Sequence, residues 1–206
     1  MKVENILNKI NDRQPSLMDQ KKNNTYAVLV PLVEQKGSTH LLFEVRSLKM
    51  RRQPGDVCFP GGRVDQEDVN EEQCAIRETS EELGLDQSFI QHVSPLDYII
   101  STDRRMIYPF VGRITNIDQM KINRAEVEEI FTVPLSYFLQ TEPKKYKINF
   151  EVVPEPNFPF DLIQDGENYD WRSPQVDELF YEYEDKVIWG LTAKIIHHFM
   201  EIIRAE

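Results

Sequence analysis

The sequence predicts an α+β fold with a mixed sheet between helices, and three observations carry that prediction. Short apolar runs separated by turn signals recur through most of the chain, as strands do. The stretch from Asn70 to Leu83 contains no Gly or Pro and stops at Gly84, which reads as a helix with a glycine just past its end. Strand-like segments then return before a last helix at Val187–Arg204, with Ile188, Leu191, Ile195, Phe199 and Ile202 on one stripe. Strands, helix, strands, helix is the order of packed layers. The 206 residues are expected to form one domain, 1–206, with a core at about 25–140, a helix at 2–10 in front and an extension at 141–206.

Each element has its own signal. Val3, Ile6, Leu7 and Ile10 lie at helical spacing, and Asn11–Asn24 is polar with one proline, a loop. Tyr26–Val33 reads as a buried strand, Gly37-Ser38 as a turn and His40–Arg46 as a second strand. Residues 47–56 are basic and irregular, and the short strand Val57-Cys58-Phe59 is cut off by Pro60-Gly61-Gly62. Beyond the helix, Leu96–Ile100 and Met106–Ile114 pair around Thr102-Asp103-Arg104. Val127–Val133 is another strand, Leu135–Leu139 a helical turn behind Pro134, and Lys145–Val153 a strand ended by Pro154, Pro156 and Pro159.

Composition excludes several classes of function. With 24 Lys and Arg against 35 Asp and Glu, the net charge of −11 repels phosphate backbones, which argues against a nucleic-acid or anionic-membrane binder. A polyanionic substrate would then need a metal ion or a local cationic patch. Cys58 and Cys74 are too few for a disulfide framework or a four-cysteine zinc site, and read as packed, reduced thiols. Met1–Asn5 does not open a signal peptide. The longest uncharged run, the twelve residues Ile130–Thr141, falls short of the ~18–20 a membrane span needs. A soluble, cytoplasmic protein is expected.

The chemistry concentrates in Arg77-Glu78-Thr79-Ser80-Glu81-Glu82-Leu83-Gly84. Glu82 lies four residues and Glu81 three residues past Glu78, so the three carboxylates share one helix face within about 5–6 Å. Like charges at this spacing destabilise an isolated helix, and Arg77 cannot pair with all three. A hard divalent cation with oxygen ligands is their natural partner. Phe59-Pro60-Gly61-Gly62 lies upstream, where glycine lets a backbone carbonyl approach such an ion closely.

These residues resemble the Nudix hydrolase signature, Gly-x5-Glu-x7-Arg-Glu-U-x-Glu-Glu-x-Gly-U, with U aliphatic. Arg77, Glu78, Glu81, Glu82, Gly84 and Leu85 match it. Asp68 stands where the signature has its first glutamate, the spacing from Gly62 to Arg77 is one residue longer, and Thr79 replaces an aliphatic residue. A second stretch is similar to the motif of coenzyme A diphosphatases, Leu-Leu-Thr-x-Arg-Ser-x3-Arg-x3-Gly-x3-Phe-Pro-Gly-Gly. Leu42, Arg46, Ser47, Arg51, Gly55 and Phe59–Gly62 keep its spacing, while Phe43 and Glu44 depart from it. Ile188-Trp189-Gly190-Leu191-Thr192 also looks like this subfamily.

The resemblance implies an α/β/α sandwich with a mixed sheet, extended here by terminal helices. It implies hydrolysis of the diphosphate of coenzyme A or an acyl-coenzyme A to 4′-phosphopantetheine, or its acyl form, and adenosine 3′,5′-bisphosphate. Glu78 and Glu82 would hold Mg²⁺ or Mn²⁺, Glu81 would be a ligand or the base, and the Gly61 or Gly62 carbonyl would complete the shell. Glu126, Glu128 and Glu129 compete with Glu81 as general base. Arg46, Lys49, Arg51 and Arg52 place four cations in seven residues, and Arg46, Arg51 and Arg52 are expected to bind substrate phosphate. Arg104 and Arg105 read as turn residues, and His197 and His198 as core or surface groups. Two other functions compete. One is hydrolysis of a different nucleoside diphosphate derivative, such as ADP-ribose or NADH; the other is a non-catalytic nucleotide sensor.

Overall fold

A computed structural model describes residues 2–11, 13, 24–102 and 104–205. Most of the loop expected at 11–24, and Asp103 of the expected turn, lie outside the described residues. In chain order the elements are α1 (Val3–Ile10), β1 (Thr25–Gln35), β2 (Ser38–Arg46), β3 (Val57–Cys58), β4 (Gly61–Arg63) and α2 (Glu71–Leu83). There follow β5 (Ile90–Pro95), β6 (Ile99–Ile100), β7 (Met106–Ile114), β8 (Val127–Pro134) and α3 (Leu135–Gln140). The last are β9 (Lys144–Asn149), β10 (Gln175–Tyr183), β11 (Lys186–Trp189) and α4 (Gly190–Arg204).

Strands β1 to β8 form one mixed sheet: β1 and β7 run parallel from Thr25/Met106 to Leu32/Arg113, and the other pairs are antiparallel. Side chains alternate across it. Ala27, Leu29 and Val33 with Leu42 face Cys74, Ala75 and Leu83 of α2, whereas Val30, Leu41 and Phe43 face Ile195, Ile196 and Phe199 of α4. The sheet is thus covered by a helix on each face, the α/β/α sandwich that the resemblance implied. No helix among the described residues is long and apolar enough to cross a membrane.

One irregularity positions everything that follows. β1 pairs with β2 only from Leu32 to Gln35, and its first residues, Tyr26–Val28, pair with β4 instead. β2 meanwhile continues alongside β3 at Glu44 and Val45. The two central strands therefore splay apart, and residues 57–63 fill the gap, with the Leu29 N–H donating to the Pro60 carbonyl.

The structure corrects several expectations. Val187–Trp189, expected as the start of the last helix, belongs instead to a strand, Lys186–Trp189, paired with Phe180–Tyr183, and the helix begins at Gly190. Ile188 is buried from that strand, while Leu191 and Ile202 of the expected stripe are substantially exposed and Ile196 and Met200 take their place inside. β9 ends at Asn149 rather than at 153. Its partner β10 starts at Gln175, and the preceding Pro174 accepts a hydrogen bond from Phe150 but has no N–H to extend the ladder. Of Leu96–Ile100, Ile99 and Ile100 pair with β7 and the Leu96 N–H donates to the Pro109 carbonyl of β7, and β5 lies outside the expected strands. The apolar side chains of α1 are exposed and none of its residues is buried.

Candidate active site

The N-terminus of α2 is capped by Asn70, whose side chain accepts from the Gln73 N–H, and the helix ends at Gly84 in the left-handed conformation with φ of 61°. That orientation delivers its three glutamates to different surroundings. Glu82 is buried and its Oε2 accepts from the Gly61 N–H at 2.8 Å. Glu78 is half-buried and turned toward Arg77, with Oε1 2.9 Å from Nη1. Glu81 faces outward, with 57% of its side chain exposed, 3.4 Å from the same guanidinium. The sequence expectation that all three converge is therefore divided: two lie inward and one points to solvent.

Of the two glycines in the turn beside Glu78 and Glu82, Gly61 is required by backbone contact, and Gly62 leaves the Glu78 carboxylate room. Gly61 has φ of +152°, and a Cβ there would lie 2.3 Å from the Ala27 carbonyl oxygen of β1. At Gly62 it would fall 2.3 Å from Cδ of Glu78, so the bare backbone lies directly against that carboxylate.

Asp68 and Arg77 form a two-pronged ion pair, Nε to Oδ1 and Nη2 to Oδ2, both 2.9 Å. The guanidinium hydrogen bonds hold the Asp68 carboxyl down at about 2, and those same bonds push Arg77 upward. Asp68 therefore anchors the loop to the helix. Thr79 meets the core without penalty, because its hydroxyl donates to the Ala75 carbonyl at 2.7 Å.

The least anticipated residue is Glu44. It lies on β2 two residues past Leu42, on the face turned to α2, and only 2% of it is exposed. Its register partners are Cys58 on β3 and Ile130 on β8. Burial, then the neighbouring Glu82 charge, holds its carboxyl well above the ordinary range. Burial likewise pushes Glu82 up to about 8, against the Gly61 hydrogen bond and with Glu78 and Glu126 adding to the rise. Glu78 is raised by burial, opposed by Arg77. Glu126 influences all three of these groups. By contrast, Glu128 is exposed and Glu129 is tied to Lys186 in an ion pair. The position of Glu44 was readable as a charge inside the apolar run Leu41-Leu42-Phe43-Glu44-Val45.

Among the described residues no three carboxylate, imidazole or thiol groups stand at metal-ligand spacing. A divalent cation nevertheless fits the donors present. They are all oxygens, Glu44 Oε1 is buried without a hydrogen-bond partner, and the Gly62 backbone forms a cradle that a Cβ would fill. The thiols offer no alternative, since burial pushes Cys58 and Cys74 upward, the latter to about 12.

The basic segment divides as well. Arg46 shares the α2-facing side of β2 with Glu44 and acts on Glu44, Glu82 and Cys58. Arg51 and Arg52 are exposed on the irregular segment. Arg52 nonetheless lines a cavity of about 480 Å³ with Asn24, Tyr26, Gln53 and Arg105. Arg105 is more than the turn residue expected: its guanidinium lies 5.7 Å from the centre of the Tyr26 ring. Tyr26 is register partner to Arg63, one residue beyond Gly62. His198 stands 3.0 Å from Asp97 and His197 3.7 Å from Glu201, both away from these groups.

Fold, glycine turn and glutamate helix together define one class of protein. A NUDIX domain matches residues 23–156, and the chain belongs to the Nudix family. Among its relatives, mouse peroxisomal coenzyme A diphosphatase NUDT7 is 41% identical over 120 residues, covering 58% of this chain and 51% of the relative. Human mitochondrial coenzyme A diphosphatase NUDT8 is 36% identical over 123 residues, covering 58% and 52%. The chain spans about half the length of both these relatives. An uncharacterized Nudix hydrolase NudL of Photorhabdus laumondii is 31% identical over 182 residues, covering 88% of this chain and 86% of that one. A MutT/nudix family protein from Enterococcus faecalis superimposes with a TM-score of 0.53 at 14% identity, over 99% of this chain and 70% of that one, which shows shared fold alone.

Proposed function

We propose that this protein hydrolyses the diphosphate linkage of coenzyme A or its thioesters, releasing 4′-phosphopantetheine, or its acyl form, and adenosine 3′,5′-bisphosphate. The observation that supports the reading is that the fold brings the upstream motif against the glutamate helix. The Arg46 N–H donates to Asp56 and its carbonyl accepts from Gly55, which folds segment 47–56 back onto β2. Arg46 then stands among the carboxylates of Glu44 and Glu82, and Gly61 bonds Glu82 directly. The relatives named as coenzyme A diphosphatases support the same substrate.

In this reading Glu78 and Glu82, with the Gly62 carbonyl, hold Mg²⁺ or Mn²⁺, and Glu81 stays available from the helix surface as an outer ligand. A bound cation would neutralise charge on the diphosphate and lower the pKa of an attacking water. Glu126, half-buried and acting on the Glu78 and Glu82 charges, is better placed than the outward-facing Glu81 to take the proton from that water. Hydrolysis adds water across the diphosphate, breaking one P–O bond and leaving a phosphomonoester on each side. Arg46 offsets charge inside the site. Arg52 and Arg105, flanking Tyr26 beside the glycine turn, suit the 3′-phosphate and the adenine ring, and Arg51 lies on the same basic segment.

The test is incubation of the purified protein with Mg²⁺ or Mn²⁺ and a panel of coenzyme A, acetyl-coenzyme A, dephospho-coenzyme A, ADP-ribose and NADH, with products identified by mass spectrometry. Release of 4′-phosphopantetheine fastest from coenzyme A, with dephospho-coenzyme A clearly poorer, is the expected result. Preference for ADP-ribose or NADH would overturn the substrate assignment and leave the carboxylate site standing.

A further inference from the structure

Glu44 has no part in the reaction as set out above, and it occupies the position where the resembled motif has threonine. Three observations make it unusual. It is 2% exposed, its Oε1 has no hydrogen-bond partner, and its strand register directs it toward α2 beside Glu82. The neighbouring cations do not satisfy it: Arg77 is committed to Asp68 and Glu78, and the Nε of Arg46, on the same face of β2, is itself buried without a partner. A carboxyl group kept from water, beside a second carboxyl group, and with an unfilled oxygen is poorly explained as a packing element. An apolar side chain or threonine would pack there with no such cost. What does explain it is a ligand that binds oxygen and carries positive charge.

We infer that Glu44 is a further carboxylate ligand of the cation site, sharing a divalent cation with Glu82. The register partner of Glu44 on β3 is Cys58, three residues before Gly61, so Glu44 lies where residues 57–63 fill the gap between the splayed strands. This chain would then bring one more negative charge to its cation than a chain with threonine there, and hold that ion more tightly. The inference rests on the cation-dependent reading given above.

The experiment is a titration of the whole protein with Mn²⁺, followed by isothermal calorimetry and by the electron paramagnetic resonance of free Mn²⁺, with melting temperatures in EDTA and in Mn²⁺. The wild type is compared with Glu44→Gln, which keeps the shape, Glu44→Thr, which restores the resembled motif, and Glu82→Gln. Both Glu44 variants are expected to melt in EDTA no lower than the wild type. They are expected to bind Mn²⁺ about tenfold or more weakly and to lose part of the Mn²⁺-induced rise in melting temperature. Wild-type Mn²⁺ affinity in the Glu44 variants, alongside weakened binding in Glu82→Gln, would overturn this inference and leave the cation reading intact. No Mn²⁺ binding by the wild type would overturn both. Collapse of both Glu44 variants in EDTA would make Glu44 a structural element and also overturn it.

Discussion

Helices α2 and α4 lie on opposite faces of one sheet, yet they are built on opposite principles. α4 turns Ile195, Ile196, Phe199 and Met200 into the core together with Thr192, and it buries no carboxyl group. α2 buries Cys74, Ala75 and Leu83, but with them Thr79 and the carboxyl of Glu82. One helix holds the sheet with apolar surface; the other holds a charged group where water is excluded. The difference teaches where stability and reactivity are kept apart in this molecule. The α4 side carries the larger apolar core, which joins the separate three-stranded sheet of β9, β10 and β11 and helix α3, and this lets the α2 side carry buried acids.

The comparison breaks most sharply at Glu82. Glu82→Gln is expected to lower kcat for the favoured substrate by about a thousandfold or more, while the melting temperature in EDTA stays level or rises. Steady-state kinetics and thermal melts measure the two halves, and near-wild-type turnover would remove Glu82 from the chemistry. The reverse pattern is expected on the other helix. Phe199→Ala, which empties a site in the α4 core, should cost about 3–5 kcal/mol in urea unfolding, and its residual folded fraction should turn over normally.

A pH series sharpens the contrast. In the metal-free protein Glu82 keeps its proton up to about 8, whereas the unfolded chain releases it near 4.5. Between those values the folded state holds more protons, so stability is greatest toward the acid end and falls as the pH rises, by a few kcal/mol. Asp68 acts in the opposite sense: lowered from 3.8 to about 2, it contributes stability above 3.8 that is lost on further acidification. Urea unfolding in EDTA from pH 4 to 9 should therefore show stability declining from about pH 4.5 to about 8 and levelling off above that, and Mg²⁺ should flatten the decline. A stability that rises steadily to pH 8 without metal would contradict the burial of Glu82 as an acid. The smallest effect belongs to the cap: Asn70→Ala should cost about 1 kcal/mol by the loss of its bond to Gln73.

Much of this was legible in the chain. The α2 boundaries followed from the absence of Gly and Pro between Asn70 and Gly84, and the mixed sheet from the order of apolar runs. The glutamate helix and the glycine turn were found from spacing, because both depend on local geometry. What escaped was non-local. Lys186–Trp189 continues without a break into α4, and only pairing with β10 makes it a strand. Tyr26 and Arg105 meet across parallel strands some eighty positions apart, so no short-range pattern joins them. Glu44 was visible as a departure from a motif, but its burial depends on which face of β2 meets α2. The outward turn of Glu81 is a matter of tenths of a helical turn, finer than an i, i+3 count resolves.

The Asp68–Arg77 clasp has a consequence for how such a site tolerates change in chain length. Its bonds hold Asp68, in the connection before the helix, against Arg77 within the helix, whatever number of residues lies between the two. Asp68 keeps the signature's distance from Gly62, so the additional residue of this chain lies between Asp68 and Arg77, and the acid still arrives at its guanidinium. A buckle of this kind converts a spacing in sequence into a fixed distance in space. The glutamates of α2 are thereby insulated from insertions a few residues away.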